Sequence, residues 1–173
     1  MSTKDRTVTL SLRISEVAYK ALQEDAKKLN ASLNTIANQI LLAHALYDRH
    51  FKKYGLVKVS SPLFTTILDA ATDEAIVQAG KSAATGVLQS VIISATGELS
   101  VDSILDWLKR VGTYSNLNDY SEISHGGKTS VTMAHRFGPK GSRFFASYAD
   151  SLFKSVGKPI KITTLEDSVT FEV

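Results

Sequence analysis

Cysteine is absent from this sequence of 173 residues, and proline (three residues) and tryptophan (one residue) are scarce. Without cysteine the chain has no disulfide, no thiolate metal ligand and no cysteine nucleophile, so its stability must come from packing and from association. An apolar leader and an apolar run long enough to cross a bilayer are missing as well, which predicts a cytoplasmic protein without signal peptide or membrane anchor. The 43% of hydrophobic residues suffices for a sizeable core in one large or two small soluble domains.

Positive charge is concentrated in the first third of the chain. Residues 1–55 hold nine Lys or Arg against five Asp or Glu, a net charge of +4, whereas residues 56–173 hold eleven against twelve, a net charge of −1. A basic segment is attracted to phosphates because it releases their condensed counterions. The charge pattern is therefore compatible with a polyanionic partner at the N-terminal segment, and equally with a merely basic surface.

Apolar and polar residues alternate strictly over residues 7–14, the sequence Thr-Val-Thr-Leu-Ser-Leu-Arg-Ile. A period of two predicts a β-strand whose side chains point in turn to opposite faces. The apolar face consists of Val8, Leu10, Leu12 and Ile14, and the polar face consists of Thr7, Thr9, Ser11 and Arg13. Because a single strand with one apolar face is not stable alone, we expect it to pair with another strand and to lie on helices.

Two helices are predicted directly after this strand. Ser15 is a helix N-cap, and apolar residues then recur at spacings of mostly three and four as far as Leu29. Asn30 is suited to the left-handed conformation that ends a helix, and Ser32 offers a hydroxyl that caps the next one. The second helix begins near Leu33, and its apolar stripe persists to about residue 55.

This order of strand, helix, short Asn/Ser linker and helix resembles the ribbon-helix-helix domain of the Arc/MetJ/CopG superfamily of transcriptional regulators. The resemblance covers roughly residues 5–50, within a predicted first domain of residues 1–55. Its most specific parts are residues 9–15, Ala26 and Leu29 at the end of the first helix, and residues 30–32. It implies an intertwined homodimer that pairs two strands antiparallel and inserts this ribbon into the major groove of double-stranded DNA.

The polar face of the ribbon would then read the DNA sequence. Arg13 can fork onto guanine O6 and N7, while Thr9 and Ser11 can donate to or accept from several base edges. Contacts to the DNA backbone are expected from the N-terminal arm, the strand and the start of the second helix, where backbone amides and the helix dipole favour an anion. The residues expected to make these backbone contacts are Lys4, Arg6, Thr7, Ser32 and Asn34.

Two other interpretations are open for these residues. The strand can be an edge strand of an α+β domain whose Thr and Ser face water, with Ser32 an ordinary N-cap. Alternatively, the ribbon serves for dimerisation alone, as in antitoxins, and the C-terminal region binds a protein partner. We favour a sequence-specific, DNA-binding transcriptional regulator, such as a repressor, with activation and chromosome organisation also open. The single Arg on the polar face argues against sharp base readout more than against binding.

Residues 56–173 predict a second domain of the α+β class. The expected order is three helices, a hairpin, a fourth helix and a second hairpin, which gives a four-stranded antiparallel sheet. The first three helices begin at residues 61, 72 and 100, and the second of them runs as one apolar stripe to just before Gly97. Hairpin turns are predicted at residues 125–127 and 166–167.

The order of elements in residues 62–173 is loosely similar to the vinyl-reductase-type and haem-NO-binding-associated group of small α+β sensor domains. The similarity is one of topology. It implies a domain that senses a small-molecule or protein effector or mediates dimerisation. Whether dimers stack further into tetramers is left open by the sequence. The cysteines of some members of that group are missing here, so no ligand, metal or cofactor is carried over.

No catalytic set or metal site is predicted. The four histidines, at positions 44, 50, 125 and 135, lack metal-ligand spacing, and His135 is expected to be a hydrogen-bonded, half-buried residue of a strand. Lys140, Ser142 and Arg143 lie in a glycine-containing loop before a helix and form a candidate anion site, with an ordinary capped loop as the alternative. No nucleophile with its base can be assigned from spacing, so we predict a protein that is not an enzyme and holds no cofactor.

Overall fold

The computed structural model describes residues 7–173, apart from the side chain of Lys52, and the chain divides into two compact units. The first unit ends at Leu42 and the second runs from Ala43 to Val173. This division lies earlier than the predicted domain boundary at residues 55 and 56. The reason is that Tyr47 belongs to the buried core of the second unit, and Phe51 and Tyr54 pack against that core.

The first unit contains two helices whose starts are set by polar caps. Helix α1 covers Glu16–Lys28, and helix α2 covers Leu33–Ala43. Ser15 caps α1 by accepting a hydrogen bond from the Ala18 amide at 3.2 Å. Asn30 lies in the linker with a φ of 48°, the left-handed conformation expected for it. The predicted first helix and the predicted start of the second are therefore confirmed.

Residues 7–15 have no regular secondary structure, so the strand predicted over residues 7–14 is not formed in this chain. The sheet of the molecule is built from strands that all lie between residues 119 and 172. A strand exists only where a neighbouring strand supplies hydrogen-bond partners, and the single chain offers residues 7–14 none. Two helices therefore follow in the predicted order, and the predicted ribbon is not observed.

The second unit begins with a change of helical geometry. Residues His44–Asp48 form a π-helical segment directly after α2, and α3 covers Arg49–Lys53. The Leu46 carbonyl in this segment accepts a hydrogen bond from Arg110 Nη1 at 3.1 Å. The uniform helix predicted to about residue 55 is therefore replaced by three consecutive helical pieces, because the wider turn shifts the hydrogen-bond pattern by one residue.

A glycine divides the long helix predicted between residues 72 and 96. The helices that follow α3 are α4 (Ser61–Ala70), α5 (Asp73–Ala83), α6 (Val87–Thr96), α7 (Val101–Tyr114) and α8 (Gly138–Lys154). The prediction of a single helix is wrong because Gly86 adopts a φ of 62° between α5 and α6. A φ in this region interrupts a right-handed helix even where the apolar stripe continues across it.

The four strands form one antiparallel sheet in the order β1-β2-β4-β3. They are β1 (Asp119–His125), β2 (Lys128–Ala134), β3 (Lys161–Leu165) and β4 (Ser168–Glu172). Their two-residue turns at positions 126–127 and 166–167 agree with the predicted hairpins, and the α+β class with a four-stranded antiparallel sheet is confirmed. Helix α8 packs against the sheet, where the rings of Phe153 and Phe171 lie 5.3 Å apart.

Helices α5 and α8 approach each other closely at Gly80. A Cβ atom placed on Gly80 would lie 2.5 Å from the carbonyl oxygen of Phe144 and 2.9 Å from the Cβ of Ser147. Contacts this short do not occur between real atoms, so the glycine is a packing requirement of this helix pair. Gly80 therefore allows the close contact between α5 and α8.

Candidate nucleic-acid interface

Residues 7–14 leave their apolar face in solvent. The exposed fractions are 83% for Val8, 68% for Leu10, 61% for Leu12 and 47% for Ile14. Single exposed apolar residues are common on protein surfaces, but four that alternate along one short segment form a patch typical of an interaction site. Within the described part of the chain this face has no cover.

The polar side chains of the same segment are also exposed. Thr7, Thr9, Ser11 and Arg13 alternate with the apolar residues, and each is open to solvent. None of the four is buried. The three residues predicted to read bases therefore remain accessible on one stretch of chain.

The start of α2 is built as the sequence predicts. The Ser32 hydroxyl accepts a hydrogen bond from the Thr35 amide at 3.0 Å and shares a second one with the Thr35 hydroxyl at 2.8 Å. Ser32 and Asn34 are both exposed. The first turn of a helix carries backbone amides without helical partners and the positive end of the dipole, a setting that favours a phosphate.

Two of the expected backbone contacts fall on the N-terminal arm. Lys4 and Arg6 lie outside the described residues. In helix α1, Lys20 pairs with Glu16 at 2.7 Å, and this exposed pair offsets one of the positive charges of the unit. Lys27 and Lys28 lie in the last turn of α1, where cations complement the negative end of the helix dipole.

The three side chains of the candidate anion site each contact another part of their own unit. The Lys140 ammonium group donates to the carbonyls of Asp69 at 2.8 Å and Ala71 at 2.7 Å, at the end of α4. Arg143 forms an ion pair with Asp73. Ser142 is 2% exposed, and its hydroxyl donates to the Leu165 carbonyl at 2.6 Å. All three residues lie inside α8, so the glycine-containing loop predicted before this helix is not observed: Gly138 and Pro139 form its first turn, where proline is well tolerated. The contacts tie α8 to its neighbours.

The residue types of a hydrolytic triad occur together in Ser142, His135 and Asp167. The hydrogen bond between His135 and Ser142 has the opposite donor and acceptor to those of such a triad. The Phe137 amide donates to His135 Nδ1 at 3.2 Å, so the ring proton resides on Nε2 and points to Ser142 Oγ at 3.0 Å. A general base would instead accept the serine proton on that nitrogen. These hydrogen bonds have a structural role, and His135 is hydrogen-bonded as the sequence predicts.

Acidification is expected to destabilise the second unit through His135. Burial lowers the pKa of His135 below its ordinary value of 6.5, and this effect outweighs the opposing influence of Asp167. The unfolded chain therefore binds the proton first, so the stabilising contribution of neutral His135 is complete above about pH 6.5 and is lost as the pH falls below it. We expect the melting temperature to drop between about pH 7.5 and about pH 5.5, before most carboxylates titrate.

His135→Asn tests this assignment, since asparagine can still accept from the Phe137 amide but does not titrate. The drop in melting temperature between the two pH values should shrink in this variant. Ser142→Ala is the control, because it removes the partner of Nε2 and keeps the titrating ring, so it should lower stability at both pH values and retain the drop. An unchanged drop in His135→Asn contradicts the assignment.

Comparison of the chain with protein-family models, curated proteins and solved structures finds no match. Among residues 7–173, no group of three or more His, Asp or Glu side chains is placed to hold a metal ion. The helices that the structure describes are all too short or too polar to cross a membrane.

The structure also brings together residues that the sequence does not single out as a site. Tyr47, Trp107 and Asn118 line a cavity in the second unit. Trp107 is expected at the edge of the apolar face of α7, but it is 1% exposed and lies in the core. The only sequence signal is the high aromatic content of residues 47–64 and 144–153, which does not reveal that the two stretches meet.

Proposed function

We propose that the protein is a homodimeric, sequence-specific DNA-binding regulator that inserts a two-stranded antiparallel ribbon into the major groove. The observation that carries this proposal is the uncovered apolar face of residues 7–14, which is followed by two capped helices and alternates with exposed Thr9, Ser11 and Arg13. Pairing with a second copy would cover the apolar face and leave the polar face outward.

The first unit supports this proposal by its lack of an adequate core. Among the described residues up to Leu42, Ala26 and Ile36 are buried, while the apolar side chains of the segment and several on the helices are exposed. A unit of this size buries too little apolar surface to be stable alone. Two copies with their strands paired over four helices would form a shared core, so folding and dimerisation would be one event.

The proposed contacts follow from the chemistry of the exposed side chains. A β-ribbon is narrow enough for the major groove, where the Arg13 guanidinium matches the two acceptors of guanine. Thr9 and Ser11 have hydroxyls that donate and accept hydrogen bonds, so each can bond to the edges of several different bases. Ser32 and Asn34 at the start of α2, with Thr7 and the arm residues Lys4 and Arg6, would hold the phosphates and set the position of the ribbon.

A protein-interaction module is the second candidate, with the ribbon serving only for dimerisation. It is favoured by one observation: the polar face of residues 7–14 contains a single charged side chain, Arg13. The two functions differ in salt dependence, because phosphate contacts release counterions and protein contacts do not do so to the same extent. A gel shift with random duplex DNA at two salt concentrations separates them, and no shift at low salt favours the module.

Arg13→Ala should weaken specific DNA binding while the dimer remains folded. A bidentate contact to guanine contributes about 1–3 kcal/mol of discrimination, so affinity for a duplex selected by the parent protein should fall by about fivefold to more than a hundredfold. The fall should be smaller for random duplex. Fluorescence anisotropy with both duplexes measures the two affinities.

Arg13→Lys is the matched variant, because it keeps the charge and removes the planar guanidinium group that donates two parallel hydrogen bonds. It should retain most of the affinity for random duplex and lose most of the preference for the selected one. Lys28→Ala removes one positive charge from α1 and controls for net charge. Parental affinity and preference in Arg13→Ala would exclude the proposed reading face.

A further inference from the structure

The second unit contains a cavity of about 660 Å³ that is partly open to solvent. Helices α3 to α8, the π-helical segment and the connection of residues 56–60 contribute to its wall, which is largely apolar. Aromatic rings dominate one side: the ring of Tyr47 lies 4.5 Å from that of Phe51 and stacks at 5.6 Å on that of Trp107. A volume of this size falls within the range of small-molecule sites, which is roughly 300–1,000 Å³.

Two buried polar atoms of residues that line this cavity lack hydrogen-bond partners. They are Nε1 of Trp107 and Oδ1 of Asn118, in residues that are 1% and 5% exposed, and no described atom bonds to either. A buried polar group without a partner is destabilising, and such groups are rare in native proteins. One is a donor and the other an acceptor, so the pair offers complementary contacts to a molecule inside the cavity.

The Tyr148 hydroxyl is the polar neighbour of the tryptophan. The Trp107 N–H lowers the pKa of Tyr148, although burial has the larger effect and raises it. The two groups do not meet the distance and angle of a hydrogen bond, so the indole N–H stays without an acceptor. Burial likewise raises the pKa of Tyr47 to about 12, so both tyrosines, which line the cavity, are neutral at neutral pH.

The charge of the wall restricts the ligand further. Among the described residues that line the cavity, Lys58 is the charged one, and its ammonium group pairs with Asp48 at 2.6 Å. A charged ligand would have to lose its hydration without gaining an ionic partner, which is unfavourable in an apolar site. The cavity therefore suits a neutral molecule.

We propose that this cavity binds a neutral aromatic small molecule that carries a hydroxyl or similar group able to bond with Trp107 Nε1 or Asn118 Oδ1. The aromatic wall favours a ring that packs edge-to-face or offset against it. The polar group supplies the partner that the two buried atoms lack. This binding requires neither the ribbon nor DNA, so it is independent of the proposed function.

The single tryptophan of the chain makes the test direct, because its fluorescence comes from one residue that lines the cavity. Three probes share one skeleton: 3-phenyl-1-propanol has the hydroxyl, propylbenzene lacks it, and 3-phenylpropanoate replaces it by a charge. The full-length protein should bind the alcohol at least about fivefold more tightly than the hydrocarbon. The carboxylate should bind least at neutral pH, and decanoate tests an acyl chain as the alternative occupant.

Asn118→Leu links the preference to a named atom. Because it replaces an amide whose oxygen has no partner by an apolar group of similar volume, it should raise the melting temperature of the ligand-free protein. It should also reduce the preference for the alcohol over the hydrocarbon. Trp107→Phe should also reduce the preference for the alcohol over the hydrocarbon. Because this variant has no tryptophan, binding of each probe is measured by the rise in melting temperature that the probe causes.

Three results would overturn the proposal. They are equal affinity for the alcohol and the hydrocarbon, tighter binding of 3-phenylpropanoate or decanoate than of the alcohol, and no fluorescence change with any probe at its solubility limit. If Asn118→Leu does not fold, the probe series on the parent protein and on Trp107→Phe still decides between these outcomes.

Discussion

Leu10→Asp should abolish both the proposed dimer and DNA binding. The side chain of Leu10 lies on the apolar face that two copies would bury against each other, and it is exposed in the single chain. Symmetry places the new carboxylate in the shared core twice, and a buried charge without a partner strongly opposes association. Light scattering should show half the parental mass, and anisotropy should show no binding to the selected duplex.

Thr9→Asp is the matched control, since it adds the same charge one residue away on the opposite face. The dimer should persist in this variant, while DNA binding should weaken because the carboxylate faces the phosphates and base edges. Parental mass and binding in Leu10→Asp, or equal loss of mass in both variants, would contradict the assignment of the two faces.

The absence of cysteine allows the strand pairing itself to be tested. In an antiparallel pair related by a twofold axis, only the residue beside the axis faces its own copy, so cysteine placed at each of residues 7–14 in turn should give one strong cross-link. Parallel pairing would cross-link every position. Equal cross-linking throughout would therefore contradict the ribbon.

Gly80→Val should destabilise the second unit by about 3 kcal/mol or more. The Cβ position of residue 80 lies 2.5 Å from a backbone carbonyl of α8, so the clash cannot be relieved by a side-chain rotation. Helices α5 and α8 must separate, and the core between them loses contact area. Thermal or urea unfolding followed by circular dichroism measures the loss.

Ala79→Val provides the comparison for this substitution. Ala79 is an exposed neighbour on the same helix, so its variant carries the helix-propensity penalty of valine without the clash. Its free energy of unfolding should fall by less than about 0.7 kcal/mol. Similar losses in the two variants would show that the approach of α5 to α8 does not limit stability.

The predictions that agree best with the structure concern features determined by residues adjacent in sequence. Ser15 and Ser32 start helices because their hydroxyls accept amide hydrogen bonds within the next turn, which depends on neighbouring residues alone. The hairpin at residues 126–127 follows from two glycines in sequence, both with positive φ. The break at Gly86 was not foreseen, because an isolated glycine within an apolar stripe is also compatible with a continuous helix.

Features that depend on distant contacts are not visible in the sequence. The cavity wall unites Tyr47, Trp107 and Asn118 from separate parts of the second unit, and no spacing relates them. The sequence around Lys140 and Ser142 resembles an anion-binding loop. In the structure both side chains instead donate hydrogen bonds to backbone carbonyls of residues distant in sequence. The strand at residues 7–14 is a third case, since its formation would depend on a second chain that no single sequence displays.

The π-helical segment His44–Asp48 makes chain length, as well as residue identity, matter in this part of the molecule. Such a segment accommodates one residue more than an α-helix would over the same rise. Removal of one residue here can therefore be absorbed by closing the wide turn into an ordinary α-helical turn, whereas removal of one residue within α3 would rotate every later side chain of that helix by about 100°. Proteins built on this architecture should therefore tolerate the loss of one residue between Ala43 and Arg49 better than the loss of one between Arg49 and Lys53.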